Sequence, residues 1–165
     1  MKRVEVVGFL LKEDDETSKH QVLLGLKTQK TGKGKWNGYG GGVEKKETFA
    51  GAMAREFDEE LGIEVKPSDL EEVAFIKITF RINFYKINTC KLHVFILRRW
   101  RGAFTNSNEM LNPTWYNIDN LPDNMIASDK LWLPFVLEGA KVLGIINKKF
   151  KNNHFEVTHF NVIRI

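Results

Sequence analysis

Residues 41–63 read GGVEKKETFAGAMAREFDEELGI, and the apolar spacing of this stretch predicts an amphipathic helix. The apolar residues that recur at helical spacing are Ala50, Met53, Ala54, Phe57 and Leu61. Thr48 has a side chain suited to capping the N-terminus of such a helix. Gly62 can take the left-handed conformation that commonly ends one. We therefore predict a helix over residues 48–61 that buries one face.

The polar face of this predicted helix carries a cluster of acidic residues, Glu56, Asp58, Glu59 and Glu60. Like charges three or four positions apart on a helix repel, at a cost of roughly 0.2–0.5 kcal/mol per pair. A bound cation would offset this repulsion, and oxygen ligands suit Mg²⁺, Mn²⁺ or Ca²⁺. A solvated, charged surface helix is the alternative interpretation. The density of carboxylates favours a divalent-metal site.

The loop before the helix, WNGYGGG at residues 36–42, is rich in glycine. Glycine lets the backbone approach a ligand or a metal closely. The loop lacks the GxxxxGK[ST] pattern of a Walker phosphate-binding loop. Taken alone, it could be a tight Asn-Gly hairpin turn. Because it directly precedes the acidic helix, we expect it to bring a backbone carbonyl to the metal.

The length and composition indicate a single globular domain over residues 1–165. No apolar run reaches the roughly 18 residues that a membrane-spanning helix needs. The only cysteine, Cys90, excludes an intramolecular disulfide and favours a reducing compartment, so we expect a cytoplasmic protein. The net charge of +4 is low for a dedicated nucleic-acid binder. We expect a monomer with neither a membrane nor a nucleic acid as partner.

The remaining elements follow from apolar alternation and turn residues. Strands are predicted at residues 4–11, 21–27, 72–80 and 91–98, near 115–118 and at 155–165. A second helix is predicted over residues 129–146, with Ser128 or Asp129 as its N-cap and Pro134 tolerated near its start. Strands on either side of one helix, with a second helix late in the chain, favour a mixed sheet between helices.

The acidic stretch, with its flanking glycines, resembles the signature of the Nudix hydrolases. The matching positions are Gly41, Glu47, Arg55, Glu56, Phe57, Glu59, Glu60, Gly62 and Ile63. That family cleaves nucleoside diphosphates linked to a further group, with the help of a divalent metal, in an α+β fold built as an α/β/α sandwich. The resemblance therefore implies both the reaction class and the fold.

The resemblance also implies roles for individual residues. Glu56 and Glu60 would bind the metal together with the carbonyl of Gly40, and Glu59 would bind metal or activate water. Arg55 keeps its proton at any working pH. It would pair with Glu47 and orient the helix that carries the acidic residues.

The similarity extends beyond the signature to VLLGLK at 22–27, the loop at 32–48, NEMLNPTWYNIDNLP at 108–122 and LWLPFVLEG at 131–139. These segments are similar to the MutT-like Nudix branch that hydrolyses oxidised purine nucleoside triphosphates. By this resemblance, Lys27 contacts phosphate and Asn37 hydrogen-bonds the purine edge. Glu109 is a further metal ligand or base, and Asp129 reads the base.

Three residues depart from that branch of the family. Ser128 replaces the first of two adjacent base-reading aspartates, and Ile126 replaces a tryptophan that stacks on the base. Ile78 replaces a phenylalanine on the opposite side. A purine could still pack between two isoleucines but without aromatic stacking, which contributes roughly 1–3 kcal/mol per base. The hydrogen-bonding pattern presented to the base also changes.

The sequence thus predicts a metal-dependent nucleoside triphosphate pyrophosphohydrolase that releases a nucleoside monophosphate and pyrophosphate. The expected substrates are oxidised or modified purine nucleotides such as 8-oxo-dGTP, and the expected cofactor is Mg²⁺, for which Mn²⁺ can substitute. Hydrolysis of a dinucleoside polyphosphate or of capped RNA is an alternative. A non-hydrolysing nucleotide-binding module is another, although such a module has no need of Glu56, Glu59 and Glu60.

Overall fold

The computed structural model describes residues 1–165, and its largest element is one β-sheet. The strands are β1 (Lys2–Glu13), β2 (His20–Lys27), β3 (Trp36–Asn37), β4 (Leu70–Arg81), β5 (Ile87–Leu97), β6 (Met110–Asn117), β7 (Val142–Lys151) and β8 (His154–Arg164). The helices are α1 (Phe49–Leu61) and α2 (Leu133–Leu137), with 3₁₀ turns at Pro67–Asp69 and Asp129–Leu131. Neither α1 nor α2 has the length and apolar character of a membrane-spanning helix.

The sheet is mixed, as predicted. Its strands lie in the order β3-β2-β1-β5-β4-β7-β8, and β6 pairs with β2. β1 runs parallel to β5 and β4 runs parallel to β7, whereas the other pairs are antiparallel. Parallel pairs need a long crossover connection. The first crossover contains the glycine-rich loop and α1, and this places the acidic helix against one face of the sheet.

α1 forms where its capping residues predict it. The Thr48 hydroxyl accepts a hydrogen bond from the Gly51 amide at 3.0 Å. Gly62 ends the helix in the left-handed conformation, with φ of 74°. The apolar side of α1 buries Met53, Phe57 and Leu61 completely. The prediction of a helix over residues 48–61 is therefore confirmed.

A glycine in β1 allows α1 to pack closely on the sheet. A Cβ atom on Gly8 would lie 2.5 Å from Cζ of Phe57 and 2.8 Å from Sδ of Met53. Because these distances are shorter than any normal contact, a larger residue would require the Phe57 and Met53 side chains, or the helix that carries them, to shift. The separation between α1 and β1 therefore depends on this position having no side chain.

Apolar cores lie on both faces of the sheet. On one face, Met53, Phe57 and Leu61 of α1 pack with Leu10 and Leu23. On the other, the α2 region contributes a second group that includes Trp132, Leu133 and Val136. The sheet is thus covered by α1 on one side and by the short α2 region on the other, which is the sandwich that the sequence predicts.

The prediction of a second helix over residues 129–146 is wrong. The segment forms a 3₁₀ turn, then the five-residue α2, and then strand β7. Gly139 has φ of 91°, a left-handed conformation that ends the helical segment. From Val142 onward, burial alternates with period two, and the strand fills the position between β4 and β8. Tertiary pairing thus overrides the helical interpretation of this apolar segment.

The N-cap predicted for that helix is also wrong in its chemistry. Ser128 stands at the N-cap position of the 3₁₀ turn, but neither it nor Asp129 caps a helix through its side chain. The strands predicted at 4–11, 21–27, 72–80 and 91–98 are present and longer than predicted, and the strand predicted at 155–165 is β8, shifted by one residue. β6 begins at Met110, earlier than expected.

Candidate active site

Arg55 organises the acidic face of α1. Its Nε donates to Glu47 Oε1 at 2.8 Å and its Nη2 to Glu47 Oε2 at 3.1 Å, so the predicted pair forms. Nη1 donates to Glu56 Oε1 at 2.8 Å and to Glu59 Oε2 at 3.1 Å. Nη2 also reaches the Gly42 carbonyl at 3.0 Å. The hydrogen bonds from Arg55 hold the pKa of the Glu47 carboxyl below its usual value.

Glu56 and Glu60 lie on the buried side of the acidic cluster. Glu60 Oε2 accepts a hydrogen bond from the Gly40 amide at 2.7 Å. Burial raises the pKa of Glu60 to about 7, and the charge of Glu56 contributes in the same direction. Burial also raises the pKa of Glu56, although hydrogen bonding to Arg55 opposes the rise. Burial therefore makes both carboxylates costly to ionise, and a further cation in the cleft would offset that cost.

Glu109 approaches this cluster from the loop before β6. Its two carboxylate oxygens accept hydrogen bonds from Lys30 Nζ at 3.0 and 2.9 Å. The Ser107 hydroxyl accepts a hydrogen bond from the Glu109 amide at 3.2 Å and fixes the loop. A cleft lined by Glu56, Glu59, Glu60, Glu109 and Gly40 brings together every residue predicted to bind metal.

The carboxylates of the cleft form hydrogen bonds with other groups of the protein, and they do not surround one common point. No group of three or more His, Cys, Asp or Glu side chains is close enough to hold a metal ion as it stands. The ligand types nevertheless suit a hard divalent cation, because four carboxylates face one cleft. The carbonyl oxygen of Gly40 accepts no hydrogen bond within the chain, which leaves it available as a further oxygen ligand.

A second cleft continues from the acidic one. Lys30, Gly40, Gly41 and Glu109 line both clefts. The second cleft contains all six residues predicted to bind substrate, namely Lys27, Asn37, Ile78, Ile126, Ser128 and Asp129. They come from β2, β3, β4 and the segment that leads into and begins the 3₁₀ turn at Asp129–Leu131. The fold thus joins the predicted phosphate end and the predicted base end in one continuous depression.

Asn37 and Asp129 are buried polar residues of the second cleft. The Asn37 Oδ1 accepts a hydrogen bond from the Gly38 amide at 2.8 Å, whereas its amide nitrogen makes no hydrogen bond within the chain. The Asp129 Oδ1 accepts a hydrogen bond from the Ser128 hydroxyl at 3.2 Å. Burial raises the pKa of Asp129 to about 6, against the opposing charge of Lys148. These groups can exchange hydrogen bonds with a polar ring edge.

Lys148, which no sequence motif singles out, lines the same cleft. Its Nζ donates to the Ser128 hydroxyl at 2.7 Å, and the residue is only 9% exposed. Burial lowers its pKa, whereas the negative charge of Asp129 opposes that effect. A helix predicted over residues 129–146 gives no reason to expect the next residues, including Lys148, in the site. The period-two pattern of Val142, Gly144 and Ile146 could have indicated a strand that turns Lys148 inward.

Comparison with known proteins identifies relatives across most of the chain. A model of the NUDIX domain matches residues 1–135. The oxidized purine nucleoside triphosphate hydrolase of Danio rerio is 36% identical over 140 residues, covering 84% of this chain and 85% of that protein. The protein of the same name from Mus musculus is 34% identical over 125 residues, covering 75% of this chain and 76% of that protein.

Solved structures share the fold. The mutator MutT protein of Bacillus halodurans superposes with a TM-score of 0.76 at 24% identity, covering 97% of each chain. A MutT NUDIX hydrolase from Burkholderia pseudomallei gives a TM-score of 0.66 at 19% identity, covering 84% of this chain and 97% of that one. At these identities the likeness concerns the architecture of the sheet and its helices.

Proposed function

This chain belongs to the Nudix hydrolase family, and on that premise we propose that it is a pyrophosphohydrolase of oxidised purine nucleoside triphosphates such as 8-oxo-dGTP. The products would be the nucleoside monophosphate and pyrophosphate. The observation that carries this proposal is that the acidic cleft continues into a second cleft, which is lined by apolar and polar side chains suited to a base. A substrate with phosphates at one end and a ring at the other suits such a site.

Nudix hydrolases generally use a divalent metal, and we propose Mg²⁺ for this chain, with Mn²⁺ able to substitute. Its ligands would come from Glu56, Glu59, Glu60 and Glu109, with the Gly40 carbonyl as the backbone ligand. A divalent cation held there would neutralise phosphate charge and make a water molecule more acidic. The raised pKa values of Glu56 and Glu60 support this assignment, because a cation would favour their ionised forms.

The side chains of the acidic cleft have separate roles in this proposal. Glu59 is the most exposed of the three clustered glutamates on α1, so it can reach a water molecule and act as general base. Glu109 is the other candidate for that role. Arg55 acts as a positioning residue, because its guanidinium is already engaged with Glu47, Glu56 and Glu59. Lys27 and Lys30 supply positive charge for the phosphates.

The residues of the second cleft would hold the base. Ile78 and Ile126 provide apolar surfaces on which a ring can pack, and the Asn37 amide and the Asp129 carboxyl provide polar contacts to its edge. The names of the Danio rerio and Mus musculus proteins support an oxidised purine as substrate. We further propose that the protein works as a monomer in the reducing cytoplasm, without a nucleic-acid partner.

The experiment that tests this proposal compares several substrates with the purified chain, in Mg²⁺ and in excess chelator. The panel is 8-oxo-dGTP, dGTP, dATP, dCTP, a dinucleoside tetraphosphate and capped RNA, with products separated by chromatography. We expect Mg²⁺-dependent release of 8-oxo-dGMP and pyrophosphate, with the highest kcat/KM for an oxidised purine. Faster hydrolysis of the dinucleoside tetraphosphate or of the cap would favour those substrates. Binding without any hydrolysis would mean a nucleotide-binding module.

A further inference from the structure

Lys148 is a buried cation at the base end of the second cleft. It lies on β7 opposite Phe80 of β4, and its Nζ lies 5.4 Å from the centre of the Phe80 ring. Burying an ammonium group is costly unless it is paired and hydrogen-bonded. No carboxylate lies within 4.0 Å of Nζ, since Lys148 forms no salt bridge, and the Ser128 hydroxyl intervenes before Asp129. The protein therefore keeps this charge buried with incomplete compensation.

The ammonium group of Lys148 has unused hydrogen-bonding capacity. A lysine has three N–H donors, and within the chain only one of them is used, in the bond to Ser128. The remaining donors belong to a side chain that lines the cleft. A buried donor without a partner costs free energy. An acceptor atom on a bound ring would satisfy it.

A row of three side chains offers a hydrogen-bond donor at one end and an acceptor at the other. The row consists of Lys148, Ser128 and Asp129, in that order. The Ser128 hydroxyl accepts from Lys148 at 2.7 Å and donates to Asp129 at 3.2 Å, so it bridges the two charged groups. The row complements a ring edge on which a carbonyl oxygen stands next to a ring N–H, which is the edge of a lactam. It opposes an amidine edge, on which an amino group stands next to an unprotonated ring nitrogen.

We propose that Lys148 is a specificity-determining residue that selects bases with a lactam edge, donating to the base carbonyl while Asp129 accepts from the adjacent ring N–H. This inference rests on the proposed function and narrows its substrate class. Hypoxanthine and guanine carry a lactam edge at C6 and N1, where adenine carries an amidine. Oxidation of a purine at C8 creates a second lactam edge at C8 and N7, including on adenine.

A purely structural role for Lys148 is the competing explanation. In that case the ammonium would only balance the charge of Asp129, and its removal would affect all substrates alike. The two roles are separated by a comparison of substrates that differ only at the ring edge. dITP and dATP differ only at C6 and N1, and 8-oxo-dATP and dATP differ only at C8 and N7.

The test measures kcat/KM for these three triphosphates with the Lys148→Met variant, which keeps an unbranched apolar side chain and removes the ammonium group. Lys149→Met is the matched control, because Lys149 is the exposed neighbour on the same strand and lines neither cleft. We expect kcat/KM of Lys148→Met to fall about tenfold or more on dITP, on 8-oxo-dATP or on both, because a charged hydrogen bond is removed. We expect dATP to be nearly unaffected, and Lys149→Met to match the wild type throughout.

An equal loss on all three substrates, or no loss on either lactam, would overturn the proposal. If Lys148→Met melts too early to assay, Ser128→Ala serves as the second variant. It removes the hydroxyl that aligns Lys148 with Asp129, and we expect it to reduce the same preference by a smaller factor. An unchanged preference in a folded Ser128→Ala variant would count against the proposed row.

Calorimetric binding of dIMP and dAMP in excess chelator separates this inference from the proposed function. We expect tighter binding of dIMP, or of 8-oxo-dAMP, than of dAMP, with the difference abolished in Lys148→Met. Such discrimination without any triphosphate hydrolysis would refute the proposed reaction and keep the role of Lys148. Triphosphate hydrolysis without such discrimination in either assay would support the proposed reaction and refute the role of Lys148.

Discussion

Arg55 and Glu47 form a two-point ion pair, with Nε 2.8 Å from Oε1 and Nη2 3.1 Å from Oε2. Glu47 lies just before α1 and Arg55 lies nearly two turns into it, so the pair ties the helix to the segment that precedes it. The same guanidinium contacts Glu56 and Glu59. Only arginine can make this set of contacts, because lysine has no planar fork of donors.

Arg55→Lys should therefore lower kcat and leave KM nearly unchanged. Loss of charged hydrogen bonds costs about 1.5–3 kcal/mol each, so we expect a fall in kcat of roughly tenfold or more. Steady-state kinetics on the best substrate give both constants. A large rise in KM with normal kcat would instead show that Arg55 contacts the substrate directly.

Glu56→Gln and Glu60→Gln should each remove most of the turnover while the fold is kept. The amide has nearly the shape of the carboxylate but is a weak ligand for a hard cation. Glu71→Gln, an exposed position on β4, is the matched control. A variant that keeps more than about a tenth of the activity, a loss below roughly 1.4 kcal/mol, would not have lost a principal metal ligand.

Asp129→Asn should change the ranking of substrates. If Asp129 accepts from a ring N–H, the amide presents a donor where an acceptor is needed, at a cost of roughly 1–3 kcal/mol for the best purine. Measurement of kcat/KM on several purine and pyrimidine triphosphates gives the ranking. An equal loss on every substrate would leave Asp129 with a structural role only.

The pKa of Asp129 also predicts a change of stability with pH. Burial raises it from 3.8 to about 6, so the folded state favours the protonated carboxyl. The resulting contribution to the free energy of unfolding is fully present below pH 3.8 and is lost as the pH rises through about 6. The free energy of unfolding, measured with denaturant, should fall over this pH interval for the wild type but not for Asp129→Asn, because the asparagine side chain cannot ionise. Parallel curves for the two proteins across that interval would contradict the shift.

Ile126→Trp should lower KM for purine triphosphates more than for pyrimidines. An indole ring at this position would stack on a base, and stacking of a base on an aromatic side chain is worth roughly 1–3 kcal/mol. Ile126→Leu is the control, because it keeps an apolar side chain of the same size without a ring. Equal KM changes for purines and pyrimidines would mean that Ile126 does not face the base.

The sequence predicted α1 and its acidic cluster well because the signals are local. Thr48, Gly62 and the apolar spacing between them act within one helix. The segment after Pro134 was mispredicted because its strand exists through pairing with β4 and β8, which are distant in sequence. Lys148 was missed for the same reason, since its inward direction depends on that pairing. Ser128 and Asp129, by contrast, line the cleft that the resemblance to the MutT-like Nudix branch predicts for them.

Gly8 lines neither cleft, yet a Cβ there would lie 2.5 Å from Phe57 Cζ. Phe57 immediately follows Glu56 on α1, so a shift of this turn of the helix would also move the Glu56 carboxylate. A geneticist who ranked variants by their distance from the reacting phosphate would pass over this glycine. A larger residue at position 8 would therefore lower activity in a protein whose acidic residues are all unchanged, and a smaller residue at position 57 would make room for it.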